Sequence, residues 1–123
     1  MLKEIETKED IELMVDTFYA KVREDSLLGD IFNTVIQDNW PEHLGKMYRF
    51  WQTVLLHESS YRGNPLAHHI NLPISKEHFN RWLELFYIAL NENFMGDKAE
   101  EAKMRAARIA EIFQARIHHY NQE

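Results

Sequence analysis

Between positions 40 and 55 large apolar side chains return at steps of three and four: Trp40, Leu44, Met47, Phe50, Trp51, Val54 and Leu55, with His43 set among them. That is the period of one face of an α-helix, about 3.6 residues per turn, and it is incompatible with the alternation of a half-buried strand. Pro41 fits the pattern because it falls in the first turn, where a missing N–H costs no helical hydrogen bond. A helix of this kind must lay its aromatic stripe against other helices, and the rest of the chain supplies them.

Thr7-x-x-Asp10 has the form of a capping box and is followed by Ile11, Met14, Val15, Phe18, Tyr19 and Val22 at helical spacing, so a first helix is predicted over 7–24. A short apolar piece, Leu27-Leu28-Gly29-Asp30-Ile31-Phe32, reads as one or two helical turns. The stretch 59–64 is polar, contains Gly63 and is expected as a loop; 65–70 can make a turn or two of helix before Pro73 stops it. Ser75 then caps a long helix through Phe79, Trp82, Leu83, Phe86, Ala89 and Leu90, closing near Met95-Gly96. Asp97 opens the last helix, with Ala102, Ala106, Ile109, Ala110, Phe113 and Ile117 on one side. No segment alternates as a strand, and there is no internal repeat or low-complexity tract. The fold class expected is all-α, one domain over 1–123, with four main helices and short connections.

Composition narrows the function. A chain of 123 residues with 45% hydrophobic and 28% charged residues is expected to be a globular protein with a core of its own. It has no run near the roughly 20 apolar residues of a membrane span and no signal-peptide pattern, so no membrane partner and a cytoplasmic location are expected. A net charge of -6 argues against a nucleic-acid partner, which wants a basic face. With no cysteine, disulfides, thiolate metal sites and covalent c-type haem are excluded. Any metal must be held by His, Met, Tyr or carboxylate, and seven histidines are many for this length.

The histidine spacing removes further classes. No two histidines stand at i, i+4, which excludes H-E-x-x-H zinc chemistry, and no Glu lies three residues before a His, which excludes the Glu-x-x-His pattern of di-iron bundles. There is no G-x-S-x-G, no phosphate-cradling glycine loop and no triad. What remains is a single-histidine site. In NPLAHHINLP (64–73), with Leu66 as zero on a helix, Ile70 falls at about 40°, His69 at about 300° and His68 at about 200°. If one of the pair faces the interior, it is His69, either as a hydrogen-bonded, partly buried histidine or as a ligand to a metal. His43, on the stripe of Met47 and Phe50, has the same two readings. Tyr19 and Trp82 sit on apolar faces, each with one polar atom that needs a partner when buried, and each is compatible with core or site.

Taken together, FYAKVREDSLLGDIF (18–32), WPEHLGKMYRFW (40–51), YRGNPLAHHINLP (61–73) and FNRWLELF (79–86), in that order and spacing, resemble the truncated haemoglobins, specifically their third group. The resemblance covers nearly the whole chain. The Gly-Gly loop signatures common in the other truncated groups are missing, as is general in the third.

The resemblance implies a truncated globin, a two-over-two helical sandwich around non-covalently bound haem b. Matched position by position, it implies His69 as the metal ligand, with Tyr19, His43 and Trp82 on the distal, ligand-binding side. Phe32, Met47, Phe50, Trp51 and Phe86 would supply dry walls for the cofactor. His68 has no implied role. The ligands implied are O2, NO or CO, held by Tyr19 O–H and Trp82 N–H donors. His43 would hydrogen-bond the ligand or water, coordinate iron or gate the pocket.

Three functions follow as expectations. The first is O2- and NO-related haem chemistry, NO dioxygenase-like or peroxidase-like, with a separate reductase supplying electrons. The second is a reversible O2 carrier or store, and the third a haem-free helical interaction module. A pocket that grips O2 tightly suits chemistry better than delivery, because a carrier must release its cargo.

Overall fold

The structure, a computed structural model, describes residues 2–56 and 75–121, with the side chains of the last helix described through 115. The helices are α1 (Lys8–Glu24), α2 (Gly29–Ile36), α3 (Trp40–Leu56), α4 (Lys76–Asn93) and α5 (Asp97–Asn121), with a 3-10 turn at Gln37–Asn39 between α2 and α3. The expected loop at 59–64, the turn at 65–70 and both His68 and His69 lie outside the described residues.

Each helix forms where its sequence asks for it. Thr7 and Asp10 close a reciprocal capping box at the start of α1, and all six apolar residues of the 11–22 stripe are buried. The Asp10 carboxylate accepts the N–H groups of Glu6 at 2.9 Å and Thr7 at 3.1 Å and pairs with Lys3 at 3.1 Å. Burial alone would raise its pKa; these hydrogen bonds and Lys3 outweigh that and hold it below the usual value. The chain turns sharply after α1 because Gly29 lets two helix ends touch: a Cβ there would stand 2.8 Å from the Arg23 carbonyl oxygen.

α1 packs against α3 and α4, and α4 against α5, so that α1/α3 and α4/α5 lie as two helices over two. The shared core holds Met14, Val15, Phe18 and Val22 of α1, Leu55 of α3, Phe86, Ala89 and Leu90 of α4, and Ala102 and Ala106 of α5. The alanines of α5 leave room for the larger side chains of α4, a close approach of helix axes set by side-chain size.

Two details differ from the sequence reading. α2 begins at Gly29 and runs to Ile36, past Phe32, and α4 ends at Asn93 rather than near Met95-Gly96. The early end has a cause: the backbone at 93–95 turns aside to pair with the N-terminal segment, Lys3 N–H donating to the Asn93 carbonyl at 3.3 Å and Met95 N–H to the Lys3 carbonyl at 2.9 Å. Glu4 then accepts the Lys98 N–H at 2.8 Å, placing a carboxylate at the positive end of α5. The same carboxylate fills the space beside Gly96, whose φ of 101° is open only to glycine at low cost.

Candidate functional site

The stripe of α3 is not buried along its whole length. Trp40, Trp51 and Leu55 are buried, but His43, Leu44, Met47 and Phe50 between them are half-buried. Apolar side chains left half-open in the middle of a helix face mark a surface meant for something other than the chain's own core. Beside Met47 and Phe50 lies a pocket with about 740 Å³ of space free of protein atoms, part of it open to solvent. Its wall comes from α1 (Phe18, Tyr19), Leu28 and Phe32, α3 (Met47, Phe50, Trp51), α4 (His78, Phe79, Trp82) and α5 (Ile109, Ala110, Phe113).

Two rings of the wall, Trp51 and Trp82, are backed by a third, Phe86, nearly parallel to both. Phe86 stacks on Trp51 with centroids 5.2 Å apart and planes 20° apart, and on Trp82 at 6.0 Å and 11°. Phe18 meets Trp82 and Phe86 edge-on, at 5.5 Å and 5.2 Å. The pocket therefore offers flat, polarisable, water-excluding surfaces.

Among the described residues of the wall, polar side chains are few. Tyr19 is buried, and burial pushes its phenol above the ordinary range; its hydroxyl, protonated at neutral pH like any phenol, can donate. Trp82 contributes an indole, whose N–H can only donate. His43 meets Tyr19 edge to face, with ring centroids 5.1 Å apart and an interplanar angle of 87°, and its Nε2 is buried.

The structure thus brings Tyr19 and Trp82 to one pocket with Phe32, Met47, Phe50 and Trp51, and sets His43 against Tyr19. Phe86 stands behind the wall, fully buried, as the ring that backs Trp51 and Trp82. His69, the metal-ligand expectation, lies outside the described residues.

Sequence reasoning passed over Phe18, Phe79 and Phe113 as pocket residues, reading them as ordinary core, and it missed His78. His78 takes the third helical position of α4, where a capping box usually has Glu or Gln, and its Nδ1 accepts the Ser75 N–H at 3.0 Å. With Nδ1 accepting, the ring proton of neutral His78 sits on Nε2. A histidine in place of the usual carboxylate or amide was the signal available in the sequence.

A flat, apolar, aromatic-walled pocket with a few isolated donors is the kind of cavity that fits a porphyrin. Comparison with known proteins gives the same class: residues 2–116 match the bacterial-like globin family. The group 3 truncated hemoglobin ctb of Campylobacter jejuni is 38% identical over 117 residues, covering 92% of each chain. The crystal structure of the group III truncated hemoglobin from Campylobacter jejuni superposes with a TM-score of 0.87 at 38% identity, covering 95% of each chain. The chain belongs to the bacterial-like globins, and within them to the group III truncated haemoglobins. Membership implies a haem cofactor and small gaseous ligands such as O2.

Proposed function

We propose that the chain binds haem b in this pocket with His69 as the iron ligand, and holds diatomic ligands on the side of Tyr19, His43 and Trp82 for O2- and NO-related chemistry. The observation that carries the reading is the placement of Tyr19, whose hydroxyl can donate, and Trp82, whose N–H can only donate, in a pocket whose other described walls are apolar apart from His78. When bound, the haem supplies an iron that takes diatomic ligands and changes oxidation state.

The chain's own residues do the rest. Phe32, Met47, Phe50 and Trp51 exclude water and give the macrocycle apolar surface to cover, at about 25 cal/mol per Å² of apolar area removed from water. Tyr19 O–H and Trp82 N–H donate to the electron-rich end of the ligand, and in a dry pocket such donors act far more strongly than in water. His43, edge-on to Tyr19, limits where the phenol ring can go.

A haem titration of wild type and His69→Ala, followed by absorption spectra of the oxidised, reduced and carbon monoxide forms, tests this. One haem per chain with a carbon monoxide-sensitive spectrum, disrupted by His69→Ala, is the expected result. No uptake by wild type, or an identical spectrum in the variant, overturns the assignment of pocket or ligand respectively.

A further inference from the structure

We propose that Trp40 is a positioning residue that holds His43 toward the distal side of the pocket, an inference that rests on the haem reading above. Neither Trp40 nor His43 is among the residues lining the pocket; both stand against Tyr19, which is, so Trp40 acts through its neighbours. Its ring stands 5.8 Å from Tyr19 at 63° and 5.7 Å from His43 at 88°, and the latter two meet at 5.1 Å and 87°. Three rings in mutual edge contact form a corner in which none can turn without displacing another. Trp40 and His43 are three residues apart on α3, which puts them on one face one turn apart.

The corner is clamped from outside by two other elements. The Trp40 indole N–H donates to Asn33 Oδ1 on α2 at 3.2 Å, and Asn33 Nδ2 donates to the Arg23 carbonyl of α1 at 3.3 Å. The Arg23 guanidinium lies over the Trp40 ring, 4.6 Å from its centre. Edge, face and N–H of one buried indole are therefore each held, by a loop of contacts that starts and ends on Arg23. Any buried indole needs a partner for its N–H; what sets Trp40 apart is that the ring so fixed also meets both Tyr19 and His43. It transmits the placement of α1 and α2 to the imidazole that faces Tyr19.

The test uses the haem-loaded protein with carbon monoxide as probe, because the C–O stretching frequency reports the polar groups beside the ligand. His43→Leu defines the pattern without the imidazole. Asn33→Ala, at an exposed position, removes the clamp and leaves Trp40 in place, and Trp40→Phe keeps a ring without the N–H. Both should shift the ratio of C–O bands toward the His43→Leu pattern by about two- to tenfold, the range that one edge-to-face ring contact can bias. Asn33→Ala takes the acceptor from a buried N–H, so its thermal midpoint should fall by a few degrees; the band ratio, read well below that midpoint, is what reports the position of His43.

Wild-type bands in both variants, while His43→Leu alters them, would reduce Trp40 to packing and overturn the proposal. Bands unmoved by His43→Leu would overturn it as well, since the imidazole would then not face the ligand, yet would leave haem binding intact. Failure of wild type to take up haem would instead strike the underlying reading and the proposal with it.

Discussion

At the scale of single residues, Tyr19 and Trp82 carry the functional argument, because each is a residue with one donor placed in a pocket whose other described walls, His78 apart, are apolar. A hydrogen bond to a ligand that carries charge is worth about 1.5–3 kcal/mol, so Tyr19→Phe and Trp82→Phe should each raise the O2 dissociation rate by about tenfold or more. Stopped-flow displacement of O2 by carbon monoxide measures it. A fast rate in wild type, unchanged in both variants, would favour a carrier that releases its cargo. Both residues were visible in the sequence for a physical reason: an amphipathic polar tip on an apolar helical face needs a partner, so it stands out. His43 stood out in the same way, as a polar ring in the Met47/Phe50 stripe. His78 did not, because it lies at a helix start where polar residues are ordinary, and its approach to the pocket depends on how α4 is placed against α5. Phe86 shows the opposite limit. Spacing marks it as inward-facing, but only packing decides that it stands one ring behind the wall, between Trp51 and Trp82.

At the scale of elements, the joint between α1 and α2 is fixed by Asp25. Its side chain is 3% exposed and accepts the N–H groups of Leu27 at 3.1 Å and Leu28 at 3.0 Å, while Arg81 of α4 donates to it from Nε at 2.7 Å. Burial alone would raise the Asp25 pKa, but Arg81 and the two backbone donors outweigh it and hold the carboxyl below the usual range. A carboxylate with a depressed folded-state pKa stabilises the fold above its unfolded value, about 3.9, and that contribution is lost as pH falls through the lower folded value. Denaturant unfolding of wild type and Arg81→Gln should therefore show a stability gap that is full at pH 7 and closes on acidification as Asp25 takes up its proton in both proteins. A gap independent of pH would mean that Arg81 contributes through the packing of its stem. The helices themselves were legible from period and caps, since 3.6-residue recurrence and the Thr7/Asp10 box are local properties. The Asp25–Arg81 pair, 56 positions apart, and the N-terminal segment that ends α4 at Asn93 were not, because they are decided by which helices become neighbours.

At the scale of the whole molecule, the two-over-two arrangement leaves the chain with a cavity where a larger helical protein would have core. Met47, Phe50, Trp82 and Phe113 are only half-buried around it, so the pocket walls lack the contacts that close packing would give them. A ligand that fills the space supplies those contacts in the folded state alone, and by linkage it must stabilise the fold. With free ligand at about 100 times its dissociation constant the gain is about 2.7 kcal/mol, which for a domain of this size corresponds to a rise of very roughly 10 °C in the unfolding midpoint. Thermal unfolding followed by far-ultraviolet circular dichroism, with and without excess haem, should show that rise, and the midpoint should go on climbing slowly with haem concentration beyond one equivalent. Trp82→Ala should reduce the increment and also lower the midpoint of the haem-free protein, because the ring faces the pocket and packs on Phe18 and Phe86 as well. A midpoint indifferent to haem would mean that the cavity is not where haem binds, and that the half-exposed aromatic stripe of α3 serves some other surface.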